Sequence, residues 1–423
     1  MKSLIRKIPI RLGWMCRGRR FYSRVEHVER VERVEGCIMS RILILVERFY
    51  PEDFLVNDLA AEWKRMGHDV EVLTQVPSYP FDKIFDGYEN KTYQTTMELD
   101  GIPVHRVSTI FGYNNSVKLK VLNYLHFGLL TSLWAILNGR KYDKVFVYHT
   151  AALTMASAVV PLKWLWHKRI TIWTQDLWPD AVWGYGFKPS KWKEALLNAF
   201  VRFIYGRCDR IAVSCGRYVQ RIKELTGHAA EWIPQWEPAE MELSEKPSSG
   251  KVVFMFAGNM GVPQNLPNVI EGFINAKLED AELWLVGGGV MSESLKEKYG
   301  EMAGIRFCGR QPRNEMPKWF EQADTLIISL TDKYCLTLPG KFQSYIKTGK
   351  PVLGILNGEA RELIEEFNIG CTSGPENIAE ISAAYVRMHS ILNSNEGRKC
   401  GERAKDLSQK MFDRNVLIKR LEP

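Results

Sequence analysis

The sequence predicts an α/β chain of two doubly wound halves with a cleft between them. Three observations carry this. Short apolar runs alternate with amphipathic stretches from residue 41 to residue 215. A polar, Pro/Ser-containing segment, PAEMELSEKPSSGK (238–251), then interrupts the pattern, and VVFMFAG (252–258) restarts it. The apolar runs are continuous rather than alternating, as expected of parallel strands covered on both faces. At 423 residues the chain has room for two domains.

Residues 1–38 hold ten Lys/Arg and four Glu, and VEH-VER-VER-VEG repeats with a period of three. That period fits neither a helix face nor a strand face. The segment reads as a disordered leader, either a transit-type sequence or the product of a start upstream of Met39. The first domain is expected over 39–238. RILILV (41–46) is a strand, LAAEWKRMGHDV (59–70) an amphipathic helix stopped at Gly67, and VEVLTQ (70–75) the next strand. KVFVYH (144–149), a helix near 151–166, ITIWTQD (170–176), a helix near 190–206 and RIAVSC (210–215) continue the βα alternation. The second domain is expected over 251–404. Its strands are 252–257, 282–286, 305–308, 325–329 and 351–355; its helices are 266–276, 314–322 (capped by Asn314), 340–348 and 359–367. A last helix is expected at about 405–423.

The net charge of +8 is concentrated in the leader, which carries +6, so the body is close to neutral and no nucleic-acid partner is implied. The eight cysteines are scattered without a CxxC pair, which argues against zinc and fits a reducing cytoplasm. No apolar run reaches the roughly 18 to 20 residues that span a bilayer. VKLKVLNYLHFGLLTSLWAIL (117–137), led by Lys118 and Lys120, reads either as a core helix or as a membrane-facing surface.

Chemistry is expected at the strand ends, where open α/β sheets bind ligands. GNMG (258–261) precedes a helix start at Leu266, with backbone N–H groups able to meet a phosphate or simply to make a tight turn. LVGGGV (285–290) allows close backbone approach. Arg310 follows the strand ending at CG, 308–309. In LPGKFQSYIKTGKPVLG (338–354), Leu338, Pro339 and Gly340 lead into a helix beginning at Lys341. A lysine at a helix N-terminus opposes the local dipole unless an anion sits there. On the first half, TQDLWPD (174–180) places Gln175 and Asp176 at a strand end, and VYHTA (147–151) does the same for His149. Asp176 suits either a hydroxyl-orienting role or a helix cap; His149 suits a structural role as well as a catalytic one. RFYPEDFLVND (48–58) forms the first strand-to-helix loop, and VPSYP (76–80) and PQWEP (234–238) are Pro-aromatic edges.

Taken together, the segments FAGNMGVPQNL, LWLVGGGV, the CGR–NEMPKWF loop and LPGKFQSYIKTGKPVLG resemble the sugar-nucleotide domain of the retaining glycosyltransferases of family four. The wording is closest to a subgroup that builds capsules, O-antigens and exopolysaccharides, including fucosyl and N-acetylfucosaminyl transferases. The resemblance implies two Rossmann-like domains facing across a cleft, the B-type arrangement, with the C-terminal helix packed back on the first domain. It implies donor contacts from Gly258, Asn259, Gly261, Gln264, Gly287, Gly288, Arg310, Leu338, Pro339, Gly340, Lys341 and Ser344. Asp176, Gln175 and His149 are the catalytic candidates, and Glu52, Asn57, Gln235 and Trp236 the acceptor-side ones. The family's two glutamates, eight apart, are Leu336 and Ser344 here. The first loop lacks the family's glycines, and Gln175 stands where a histidine is frequent.

The expected reaction moves a sugar from a nucleotide diphosphate, UDP-linked by expectation, to a hydroxyl with retention. No metal or other cofactor is expected. The acceptor is expected to be a polyprenyl-diphosphate-linked or other glycan, and the location cytoplasmic with peripheral contact to the inner membrane. A sugar-nucleotide epimerase of the same fold and a non-catalytic partner subunit are the alternatives, the latter motivated by the missing glutamates.

Overall fold

The computed structural model describes residues 39–423 except 114–115, 185–189, 242 and 245–249; the leader read at 1–38 lies outside the described residues. The first half runs β1 (Arg41–Val46), α1 (Leu55–Arg65), β2 (Asp69–Gln75), β3 (Tyr93–Glu98), β4 (Ile102–Val107), α2 (Val117–Asn138), β5 (Lys144–His149), α3 (Val159–Trp164), β6 (Arg169–Thr174), α4 (Asp180–Gly184), α5 (Lys191–Tyr205), β7 (Arg210–Val213), α6 (Gly216–Thr226) and β8 (Glu231–Trp232). These strands form one sheet in the order β3-β4-β2-β1-β5-β6-β7-β8, parallel except for the edge strand β3. The order reverses direction at β1, so right-handed crossovers place α1 on one face and α2, α3 and α5 on the other.

The second half runs β9 (Val252–Asn259), α7 (Leu266–Ala276), β10 (Ala281–Gly288), α8 (Ser292–Tyr299), β11 (Ile305–Gly309), α9 (Met316–Gln322), β12 (Thr325–Ser329), α10 (Lys341–Lys347), β13 (Val352–Ile355), α11 (Glu359–Glu366), β14 (Gly370–Ser373) and α12 (Ile378–Leu392). Its six strands are parallel, in the order β11-β10-β9-β12-β13-β14. Two doubly wound parallel-sheet halves result, as the sequence predicts. The continuous apolar runs form central strands: Ile42 to Val46 are all 0% exposed.

Several elements depart from the sequence reading. The predicted single terminal helix is two, α13 (Asn395–Met411) and α14 (Arg414–Leu421), broken at Phe412–Asp413 because the Asp413 side chain caps a new helix at Val416 N–H. Gly401 of α13 sits against Gly349 of the second half, whereas α14 buries Leu417, Ile418 and Leu421 in the first domain's core with Trp63. Each such aliphatic side chain contributes about 1.5–3 kcal/mol of burial. Arg414 adds ion pairs to Asp58 and Glu62 on α1. The first helix begins at Leu55, four residues earlier than its apolar pattern suggests. The stretch near 151–166 is a 3-10 segment (Leu153–Ala158) followed by the short α3. Asn314 caps nothing; it lies inside a 3-10 turn, Arg313–Glu315.

Candidate active site

The carboxyl ends of the β9 and β10 strands stay in register beyond their apolar cores, pairing Gly287 with Gly258 and Gly288 with Asn259. Two glycines make this possible. A Cβ on Gly287 (φ +136°) would lie 2.0 Å from the Gly258 carbonyl oxygen, and one on Gly258 (φ +129°) would lie 2.4 Å from Lys341 Cε. The lysine stem therefore lies directly on the glycine turn. Its Nζ is out of solvent, has no hydrogen-bond partner and sits 3.7 Å from the centre of the Phe256 ring. Burial lowers its pKa to about 7. An anion bound at this position would offset the ammonium's lost hydration.

Around it, the Gln264 side chain accepts from Gly261 N–H (3.0 Å) and closes the GNMG turn, while Asn259 is exposed at the rim. Arg310 is exposed at the end of β11, its Cβ 3.8 Å from where a Gly288 Cβ would stand. Leu338 is buried, and Pro339 accepts the Phe342 N–H in the first turn of α10. Gly340 leaves room for the other half: a Cβ there would come within 3.2 Å of Gln235 Oε1. Gln235 in turn donates to Gln175 Oε1 at 2.6 Å. Gln175, just after β6, is thus bonded to Gln235, which lies against the Gly340 turn that leads into Lys341.

The first-half wall contains the other catalytic candidates. His149 is 0% exposed with neither ring nitrogen hydrogen-bonded to a side chain, and burial lowers its pKa to about 3, so it is a neutral imidazole. Asp176 accepts from Ala151 N–H (3.1 Å), which holds Ala151 at φ +59°; burial raises the Asp176 pKa. It caps no helix, since α4 begins only at Asp180. Asp176 thereby ties the ends of β5 and β6 together.

The acceptor-side candidates are mostly occupied within the protein. Glu52 Oε1 accepts from Ser78 N–H (3.0 Å) and Tyr79 N–H (2.7 Å), fastening the 76–80 loop to the first loop. Asn57 bridges Tyr50 N–H and the Glu52 carbonyl. Trp236 is not at the cleft surface: it is 3% exposed, stacks on Trp173 (5.5 Å, 6°) and donates to Asp58. Of these four, Gln235 lies beside the second half, next to Gly340, while its hydrogen bond to Gln175 stays within the first half.

Residues that the sequence reading did not single out join the halves. Glu237 is 8% exposed and accepts from Ser344 Oγ and from Arg313 Nη2 (3.1 Å), while Arg313 also pairs with Asp53 (2.7 Å). Glu359, fully buried at the start of α11, accepts from the Cys215 thiol (2.6 Å) and Arg217 N–H (3.2 Å) at the start of α6. No local motif marks these residues, because their partners are 76 to 260 positions away. A surface hollow of about 770 Å³ lined by Asp280, Asp324, Lys350 and Lys405 opens at the amino ends of the second sheet's strands, away from this site.

Comparison with known proteins bears on the fold. A family profile described as "Glycosyl transferase 4-like domain" matches residues 55–234, and one described as "Glycosyl transferases group 1" matches residues 251–390. Each half thus matches a glycosyltransferase domain. It is 28% identical over 199 residues to a probable glycosyltransferase, WbjE, of Pseudomonas aeruginosa; the match spans 43% of this chain and about half (49%) of that relative's length. It is 24% identical over 384 residues to the putative colanic acid biosynthesis glycosyl transferase WcaI of Escherichia coli, covering 83% of this chain and 91% of that one. The crystal structure of Anabaena HepE in complex with UDP superposes with a TM-score of 0.64 at 12% identity, covering 90% of this chain and 98% of HepE. The two-domain fold is shared with that structure, and of these relatives WcaI is named for colanic acid biosynthesis.

Proposed function

We propose that this chain transfers a sugar from a nucleotide-diphosphate donor, UDP-linked, to a hydroxyl of a polyprenyl-diphosphate-linked glycan during bacterial surface polysaccharide assembly, with retention at the anomeric carbon. One observation carries the reading. Lys341 brings a desolvated, unpartnered ammonium to a glycine turn at the carboxyl ends of β9 and β10. A diphosphate oxygen is the anion that such a group binds with most gain, through charge-assisted hydrogen bonds in a site of low dielectric. HepE, of the same fold, was crystallised with UDP, and WcaI is named for colanic acid biosynthesis.

In this reading the donor lies on the second half, its diphosphate on Lys341 and the GNMG turn, with Arg310 at the rim. As the sugar–phosphate bond breaks, negative charge grows on the leaving oxygen, and Lys341 stabilises it. The departing phosphate oxygen takes the acceptor's proton on the same face, which gives retention without a dedicated base. Neutral His149, Gln175 and Asp176 shape the first-half wall. In this reading Gln175, held by Gln235, hydrogen-bonds the transferred sugar. The reaction needs no metal, because the lysine and backbone N–H groups neutralise the diphosphate.

The test is thermal stabilisation by UDP, GDP and ADP, followed by turnover of the stabilising nucleotide's sugars. A ligand at 100 times its Kd adds about 2.7 kcal/mol. No stabilisation by any of the three would overturn the reading. Hydrolysis or epimerisation without an acceptor would favour the epimerase alternative.

A further inference from the structure

The apolar surface of the first half is concentrated on one layer. Thirteen of the twenty-six strongly exposed large apolar side chains among the described residues belong to α2, the end of α3, and α5. By the crossover rule these helices cover the same sheet face. On α2, Val121, Leu125, Leu129, Leu133 and Leu137 recur every four residues as one outward row, between 47% and 80% exposed. On α5, Trp192 (67%), Leu196 (63%) and Phe203 (40%) form a second row. Trp164 of α3 joins the two, packed edge-on against Phe203 at 6.1 Å. By length and composition alone α2 could cross a membrane, a property missed when the sequence is scanned for unbroken apolar runs.

It does not behave as a span. Its inner face is fastened to the domain: the Asn123 amide oxygen accepts from Gln75 (2.8 Å) and from Ile110 N–H (2.9 Å). A Cβ on Gly128 would lie 2.6 Å from the Thr154 carbonyl, and Trp134 and Thr131 are buried. Extracting the helix would strand these polar groups. The helix can lie on a bilayer but not enter it end-on.

Charge identifies the occupant. Between residues 101 and 175 the chain has nine Lys/Arg and a single acid, Asp143, although the body as a whole is near neutral. Lys118 and Arg140 are exposed at the two ends of α2, and Lys191 and Lys193 flank Trp192, against Glu194 as the one acid of α5. Arg207 lies over both Trp164 (4.7 Å) and Phe203 (3.4 Å). Lys120 is half-buried and its charge acts on buried Glu47, so of the two lysines leading the helix only Lys118 faces out. Leucine rows rimmed by tryptophan and cations match the interface of an anionic bilayer, where aromatic rings sit at headgroup level and each nearby cation adds attraction.

We propose that α2, the end of α3, and α5 together form a membrane-docking face for an anionic lipid surface, with α5 as necessary as α2. Helices after parallel strands start at the strands' carboxyl ends, so Lys118 and Trp192 lie at the cleft end of this face. The proposal stands independently of which nucleotide the other half binds.

The experiment is flotation of the full chain with vesicles of phosphatidylcholine, with and without phosphatidylglycerol, at low and high salt. Two variants accompany it: Trp192→Ser with Leu196→Ser on α5, and Leu125→Ser with Leu129→Ser on α2. Wild type should float with the anionic vesicles and be released by salt. Each variant should partition at least tenfold less while keeping its melting temperature and nucleotide response, because the replaced side chains are exposed. A wild type that stays at the bottom of the gradient overturns the proposal. So does an α5 variant that floats like wild type, or a concentration-dependent dimer abolished by the same substitutions in a protein that binds no vesicle. A normal nucleotide response in a protein that does not float would leave the donor reading intact.

Discussion

Lys341 and Asp176 are both buried ionisable groups at strand ends, and their partners separate their roles. Lys341 has the Phe256 ring but no hydrogen-bond partner, so its removal relieves the apo protein and harms the complex. Lys341→Met should weaken nucleotide binding by about 1.5–3 kcal/mol, measured by calorimetry, without lowering the melting temperature. The pH dependence has a definite sign. The folded pKa of about 7 lies below the unfolded value near 10.4, so between these the unfolded chain binds one more proton. Apo stability should therefore rise with pH across that window, and nucleotide affinity should fall as pH rises above about 7; both slopes should vanish in Lys341→Met. Asp176 has a partner, Ala151 N–H. Asp176→Asn keeps an acceptor for that N–H and should retain stability while lowering kcat if the charge acts on the sugar. Asp176→Ala should cost about 1–3 kcal/mol in denaturant melts, the price of an unpaired buried donor. An Asp176→Asn enzyme with full kcat would leave the residue a purely structural tie.

At the scale of elements, the strand-end loops depend on glycine for packing as much as for ligand approach. Gly287→Ala would drive a Cβ into the Gly258 carbonyl at a positive φ, so the two loops must part. We expect a loss of roughly 1–3 kcal/mol together with weaker nucleotide binding, read by chemical denaturation and calorimetry on one preparation. The glycine turns and the LPGK turn are legible in the sequence because their chemistry is local: a strand run, then residues that permit close approach. Continuous apolar runs likewise mark β1, β2, β5 and β9. The β3–β4 hairpin escapes this reading because β3 is a half-exposed edge with polar Gln94, Thr95 and Thr96. The hairpin belongs to no βαβ repeat. The break at Phe412–Asp413 escapes it because both terminal helices carry helical periodicity, and only packing on different halves separates them.

For the whole molecule, two contacts spanning the cleft govern how the halves meet, and neither is visible without the fold. One gathers Glu237, Ser344 and Arg313 at the connecting segment. The other is Glu359, a carboxylate of the second half sealed against the start of α6 by the Cys215 thiol and Arg217 N–H. Burial and the adjacent carboxylate raise the Cys215 pKa, which keeps the thiol protonated and able to donate. Both donors converge on one oxygen, Oε2, so this contact restricts where the start of α6 can sit against α11. Glu359→Gln preserves shape but removes the charge that both donors serve. Its loss should cost about 1.5–3 kcal/mol, the scale of a hydrogen bond to a charged group. Because Lys341 and the glycine turns belong wholly to the second half, nucleotide affinity should stay at the wild-type value. Transfer needs the first-half wall brought against the donor, so kcat should fall, and small-angle scattering should show a larger radius of gyration with nucleotide bound. Unchanged kcat and unchanged scattering in Glu359→Gln would show that the remaining contacts between the halves, Arg217 with Glu362 and Tyr218 with Thr337 as well as the Glu237 cluster, hold them without it.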